Sequence, residues 1–211
     1  RQRQMCIRDS GEELADHLEQ LILLHDASNI AAVIIEPVSG SAGVIVPPKN
    51  YLQRLRKICD QHNILLIFDE VITGFARMGD TFAAQTFGVT PDLMNIAKGL
   101  TNGAIPMGAV ISSSKLYDAF MEVEQAEHMI ELPHGYTYSA HPVACAAALA
   151  ALDILQDDGM VAKSRALAPV LEDSLHNLQG TKHITDIRNF GLAGALQLAP
   201  RDGDPVVRPF E

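Results

Sequence analysis

The sequence predicts an α/β fold, a mostly parallel sheet with helices on both faces. Three observations carry that reading. Continuous apolar runs at residues 30–35 (Ile-Ala-Ala-Val-Ile-Ile), 64–68 (Ile-Leu-Leu-Ile-Phe) and 93–97 (Leu-Met-Asn-Ile-Ala) have the composition of strands covered on both faces. The first two are joined through a helix-patterned stretch by short connections, a βαβ unit whose crossover should be right-handed. The second and third runs stop at Asp69 and Lys98, and glycine-containing turns follow both. In an open α/β sheet, ligands bind beyond the carboxyl ends of the strands.

Each element follows in order. Leu14, Leu18 and Leu21 recur at helical spacing within residues 11–26. The first strand ends in Glu36-Pro37 and a loop of small residues, 38–43. Pro47-Pro48 is expected to open a helix that runs to about His62, with Leu52, Leu55 and Cys59 on one side. The second strand leads through a loop holding Gly74 and Gly79 to a short helical piece over 82–87. After the third strand, 99–106 is a turn-rich connection, 107–111 a strand and 113–120 a short helix. Residues 121–136 read as a long loop, of the kind that is usually functional. An Ala-rich helix over 141–155 is apolar on nearly every side and is expected to be buried. A second, amphipathic helix over 160–178 places Leu167, Leu171, Leu175 and Leu178 on one face, and Pro169 should kink it. Strands at 183–188 and 192–198 flank Asn189-Phe-Gly191 as a hairpin. The expected organisation is a leader over 1–10, foreign in pattern to the rest; part of a large domain over 11–158; and the start of a smaller α+β domain over 159–211. The abrupt end at Pro209-Phe-Glu211 suggests a fragment.

Composition narrows the function. Apolar residues make up 47% of the 211-residue chain and charged ones 20%, enough to bury a core and too apolar for disorder. A net charge of −10 argues against nucleic acid or an anionic membrane as the main partner. Cys6, Cys59 and Cys145 are odd in number and far apart. They form neither a disulfide framework nor a zinc site, and they fit a reducing compartment such as the cytoplasm. No apolar run approaches the roughly 18 residues of a membrane span.

Among the lysines, only Lys98 directly follows a buried strand and leads into a glycine turn. An amine partly desolvated there becomes nucleophilic. From position alone, a solvated loop lysine is the commoner reading. Asp69 shifts the balance, because it too ends a buried strand. A carboxylate beside a pyridine nitrogen favours the protonated ring. Pyridoxal phosphate chemistry needs two protein groups at its poles, a Schiff-base lysine and an acid at the ring nitrogen. Glu70 should point the other way and serve as a structural hydrogen-bonder. Glu36 should accept loop N–H groups.

Four motifs then point to a family. Ile35-Glu-Pro-Val-Ser-Gly-Ser-Ala-Gly43, Phe68-Asp-Glu-Val-Ile-Thr-Gly-Phe-Ala-Arg77, Ala97-Lys-Gly-Leu-Thr-Asn-Gly-Ala-Ile-Pro-Met-Gly-Ala109 and His134-Gly-Tyr-Thr-Tyr-Ser-Ala-His-Pro142 resemble the class III pyridoxal-phosphate aminotransferases. The resemblance is greatest to the omega-amino-acid:pyruvate (β-alanine:pyruvate) branch, and it runs from about residue 11 to the end. It implies a fold type I large domain and transfer of an amino group from an omega-amino acid or amine to pyruvate. By resemblance, Lys98 would hold the cofactor as a Schiff base and then move the proton, Asp69 would pair with the pyridine nitrogen, and Val71 would pack on one ring face. Tyr136 and Thr137 would reach the cofactor phosphate of a neighbouring subunit, which makes a homodimer part of the site.

Departures from the pattern matter. Ser41 stands where ornithine- and GABA-type relatives carry a Glu, which favours the omega-amino-acid:pyruvate branch. Ala76 and Ala140 stand where that branch usually has Gly; if either needs φ > 0, the added methyl costs about 1 kcal/mol or more. The family's phosphate loop and stacking aromatic would lie upstream of residue 1, and its carboxylate-binding arginine beyond residue 211, so the isolated chain is expected to bind cofactor poorly. The rival readings are a class III aminomutase and a cofactor-free α/β binding domain. No His-Glu-x-x-His, Gly-x-Ser-x-Gly, G-x-G-x-x-G or Walker loop occurs, and no metal site is expected.

Overall fold

The computed structural model describes residues 11–123, 129 and 132–200. The expected leader over 1–10, the chain end over 201–211 and the middle of the expected 121–136 loop lie outside the described residues. The helical arm at the start is two helices, α1 (Glu12–Ala15) and α2 (His17–His25), where the leucine spacing predicted one. The break falls at Asp16, whose carboxylate accepts from Arg54 Nε at 2.6 Å, while Arg54 Nη2 reaches Glu19 at 3.0 Å. Those ion pairs fasten the arm to α3 (Tyr51–His62).

Strand β1 (Ala32–Ile35), helix α3 and strand β2 (Leu65–Asp69) form the expected βαβ unit. Helix α3 starts later than Pro47-Pro48 predicted. A residue before proline is pushed toward extended backbone, and the helix opens only after Asn50, which is left-handed at φ 66°. It buries Leu52, Leu55, Ile58 and Cys59 against Leu66 and Phe68 of β2, together with Ala15, Ile22 and Val89. A short helix α4 (Ala83–Phe87) precedes strand β3 (Leu93–Ile96), which is followed by strand β4 (Ala109–Ser112) and helix α5 (Ser114–Met121). The sheet order is β1-β2-β3-β4, with the first three strands parallel and β4 antiparallel to β3.

At the amino end of this sheet, Asp92 Oδ2 accepts from Leu66 N and from Arg56 Nη1, both at 2.7 Å. Burial pushes the Asp92 carboxyl up, but the Leu66 N–H and the Arg56 guanidinium together outweigh it and hold the group below its ordinary value.

Helices α6 (Pro142–Asp157) and α7 (Met160–His176) and the antiparallel hairpin of β5 (Ile184–Phe190) and β6 (Ala193–Leu198) complete the described chain. Helix α7 continues through Pro169 without interruption. The expected burial of α6 is not observed. Ala144 and Ala148 are buried where α6 meets the 98–100 turn and α7, yet Val143 and Leu149 are 60% and 63% exposed. The first strand is likewise open on one face, with Ile34 59% exposed. Apolar composition told these segments that a face wants covering; among the described residues nothing covers it.

The hairpin docks on the sheet's loops. Phe190 stacks on Phe87 with centroids 5.5 Å apart, and Val38, Val44, Met78 and Ala83 bury against Ala193 and Ala195. Arg188 Nε donates to Gly43 O at 2.7 Å, Leu192 N to Arg77 O at 2.8 Å, and Ser164 Oγ of α7 to Ala76 O at 2.5 Å.

Candidate active site

The site is built where β2 and β3 end. These strands are parallel neighbours with Ile67 opposite Leu93 and Asp69 opposite Asn95, so their chains run roughly 4.8 Å apart. Alternation along β2 sends Phe68 and Glu70 into the core and leaves Asp69 half-buried on the other side. The chain turns at once: Asp69 Oδ1 accepts from Val71 N at 3.1 Å. Three residues beyond Asn95, Lys98 opens a single 3₁₀ turn, Lys98–Leu100.

That turn is tightly determined. Lys98 has φ 45°, a left-handed backbone that a lysine adopts only when its surroundings impose it. Leu100 is buried beneath it. Gly99 passes so close to Phe75 that a Cβ there would lie 2.7 Å from Phe75 Cβ. Thr101 Oγ1 donates to Ile105 O at 2.6 Å and closes the loop. The main chain of Lys98 is thus pinned while its side chain is exposed, where partial desolvation was expected. Lys98 and Val71 line an open cleft of about 930 Å³, together with Gly40, Ser41, Phe75 and small residues of α6.

The turn after Asp69 is held from beneath by Glu70. Its carboxylate is fully buried and accepts from Thr73 Oγ1 at 2.6 Å, Ala83 N at 2.8 Å and Ala84 N at 2.7 Å. Glu70 therefore satisfies the free N–H groups at the start of α4, and it is the structural hydrogen-bonder the sequence suggested. Glu36, ending β1, accepts from Gly40 N at 2.9 Å, again as expected.

The structure does not gather all the sequence candidates into one place. Asp69 ends the strand beside Lys98 but is not on the cleft wall. Tyr136 and Thr137 lie in an exposed stretch and are not on the cleft wall. Tyr136 is 80% exposed, and its N–H is held by Ser139 Oγ at 2.9 Å. Sequence reasoning passed over Phe75 and the wall supplied by α6. Their signal, a glycine and an aromatic far apart in the chain, appears only once Gly99 and Phe75 touch.

Among the described residues no cluster of metal-ligating groups occurs, and no helix is long and apolar enough to cross a membrane. The sequence model of the Aminotransferase class-III family matches residues 2–207. The chain is 70% identical over 201 residues to the beta-alanine–pyruvate aminotransferase of Pseudomonas aeruginosa, covering 95% of this chain and 45% of that protein. It is 64% identical over 204 residues to the omega-amino acid–pyruvate aminotransferase of Pseudomonas putida, covering 97% and 45%. An amine transaminase from an uncultivated Pseudomonas species, solved in its PLP-bound form, superposes with a TM-score of 0.82 at 44% identity over 89% of this chain and 42% of that one. The chain thus spans less than half the length of the relatives it matches.

Proposed function

This chain belongs to the class III aminotransferase family, and from that premise we propose that the whole protein moves an amino group from an omega-amino acid or amine to pyruvate with pyridoxal phosphate as cofactor. The fold type I architecture expected from the sequence is the one its transaminase neighbours have. The observation that carries the functional reading is the pair of adjacent strand ends. They offer Asp69 and Lys98 at the carboxyl end of the sheet, a carboxylate and an amine matching the cofactor's ring nitrogen and aldehyde.

Bound pyridoxal phosphate supplies an aldehyde that takes an amine and a protonated ring that accepts the electrons left when a Cα proton departs. The protein's share is placement and proton handling. Lys98, on a backbone fixed by Gly99 and Leu100, holds the aldehyde end and carries the proton. Asp69, oriented by Val71 N, keeps the ring nitrogen protonated. Val71, on the cleft wall, gives an apolar surface to one ring face. Tyr136 and Thr137 are exposed and do not line this cleft, which leaves them open to a neighbouring subunit's phosphate, so the working unit is read as a homodimer. Residues 11–158 are read as part of the large domain, and 159–211, whose hairpin pairs only within itself among the described residues, as the start of a second one. The cytoplasm is proposed as its compartment, from the scattered cysteines.

The test uses the full-length protein loaded with pyridoxal phosphate. Given β-alanine and pyruvate, it should form alanine in step with loss of β-alanine. Given the amino donor alone, it should release one equivalent of the oxo product. An amino group that only changes position within one substrate would replace this reading with an aminomutase. No cofactor binding at all would leave a binding domain.

A further inference from the structure

Ser164 lies on the second turn of α7, is 4% exposed and belongs to the wall of the cleft that holds Lys98. A serine inside a helix commonly turns its hydroxyl back to the carbonyl four residues earlier. Ser174, further along α7, does so and donates to Val170 O at 2.7 Å. The Ser164 hydroxyl instead leaves its helix and donates to Ala76 O at 2.5 Å, across 88 positions of chain.

Ala76 occupies the most constrained point of the loop after β2. Phe75 and Ala76 are consecutive left-handed residues, at φ 56° and 68°. An aromatic residue keeps such a backbone only where its surroundings hold it. The Ala76 carbonyl also accepts from Gly79 N at 3.2 Å, and Ala76 N donates to Thr81 O at 3.3 Å. Both backbone bonds are long and the serine bond is short, so the hydroxyl from α7 is the main support of this conformation. The loop so held aims Phe75 at the Lys98 turn. Phe75 packs with Ile96, Leu100 and Ala148, meets Phe82 edge-on with centroids 5.5 Å apart, and leaves no room for a Cβ on Gly99.

We propose that Ser164 is a positioning residue for Lys98, acting through the Ala76 carbonyl and the Phe75 ring. The role of Lys98 is the one given by the aminotransferase reading, and the test separates the two. Amide hydrogen exchange of the full-length protein without cofactor reads the turn itself. In Ser164→Ala, residues 97–104 should exchange about tenfold faster, the effect of losing one hydrogen bond, while α3 is unchanged. In a Phe75→Ala background, where the brace is already gone, Ser164→Ala should add no further acceleration there. Arg165→Gln removes a neighbouring bond from α7 to the same loop, Arg165 Nε to Gly79 O at 2.6 Å, and should leave 97–104 protected. With pyridoxal phosphate bound, Ser164→Ala should lower kcat for β-alanine and pyruvate about tenfold with KM little changed, because a misplaced amine carries the proton less well. Exchange over 97–104 equal to wild type in Ser164→Ala overturns the proposal. So does equal loosening in Arg165→Gln, undiminished acceleration in the Phe75→Ala background, or a raised KM in place of the lost kcat. A wild-type protein that forms no alanine sinks the aminotransferase reading, while exchange still decides whether Ser164 holds the Lys98 turn.

Discussion

Asp69 stands directly opposite Asn95 in the parallel register of β2 and β3, and Lys98 follows Asn95 by three residues. A carboxylate and an amine therefore leave the carboxyl end of the sheet from adjacent strands. Asp69 also accepts from Val71 N at 3.1 Å, a bond an asparagine oxygen can keep. Asp69→Asn should then retain the local geometry and remove only the charge. In the full-length enzyme it should still bind cofactor, with turnover slowed on the order of a hundredfold or more, because nothing holds the proton on the ring nitrogen. Steady-state kinetics decide this, and turnover near wild type would refute the role given to Asp69.

Glu70 should matter for stability. Removing its carboxylate in Glu70→Ala strands the Ala83 and Ala84 N–H groups and the Thr73 hydroxyl in a fully buried site. The expected cost is about 3 kcal/mol, against about 1 kcal/mol for Glu70→Gln, which keeps an acceptor oxygen. Denaturant unfolding of the full-length protein measures both. Equal stability of the two variants would mean that the buried acceptor does not support α4.

The two alanines that stand where the resemblance implies glycine both have positive φ, Ala76 at 68° and Ala140 at 56°. Relief of a left-handed alanine stabilises by about 1 kcal/mol. Ala140 is exposed, so Ala140→Gly should show that gain as a raised melting temperature. Ala76 is 5% exposed, and removing its buried methyl costs about 0.8 kcal/mol, so Ala76→Gly should be close to neutral. A destabilised Ala140→Gly would contradict the strain assigned to that turn.

The Asp92 network gives a pH dependence with a definite sign. Its folded carboxyl titrates below the unfolded one, so its stabilisation is complete above the ordinary carboxylate range and is lost as pH falls through the lowered value. Asp92→Asn should cost about 2 kcal/mol at neutral pH through the weakened bond to Arg56. The gap from wild type should narrow below about pH 4. Unfolding midpoints measured across this range test it, and a gap independent of pH would show that charge is not what Asp92 contributes.

The parts of this molecule that were legible in the sequence are those decided locally. Buried strands announce themselves as apolar runs, and the residues that stop those runs, Asp69 and Lys98, are visible because charge interrupts them. Ala76 and Ala140 stand where the family resemblance implies glycine, and both are left-handed in the structure. What could not be read depends on partners distant in the chain. Arg54 reaches back to Asp16 and Glu19 across the break between α1 and α2, Glu70 caps a helix thirteen residues on, and Arg77 is fixed by a hairpin more than a hundred residues later. What covers the apolar face of α6 is illegible for the same reason, since composition says that a face is apolar and not what packs on it.

The central claim is that Lys98 is the amine that holds the cofactor. Full-length protein loaded with pyridoxal phosphate is reduced with borohydride, digested, and mapped by mass spectrometry. The pyridoxyl group should be found on Lys98, and Lys98→Ala should lose both the label and the visible absorbance band of the bound cofactor. A label on any other lysine, or an unchanged band in Lys98→Ala, would contradict the account.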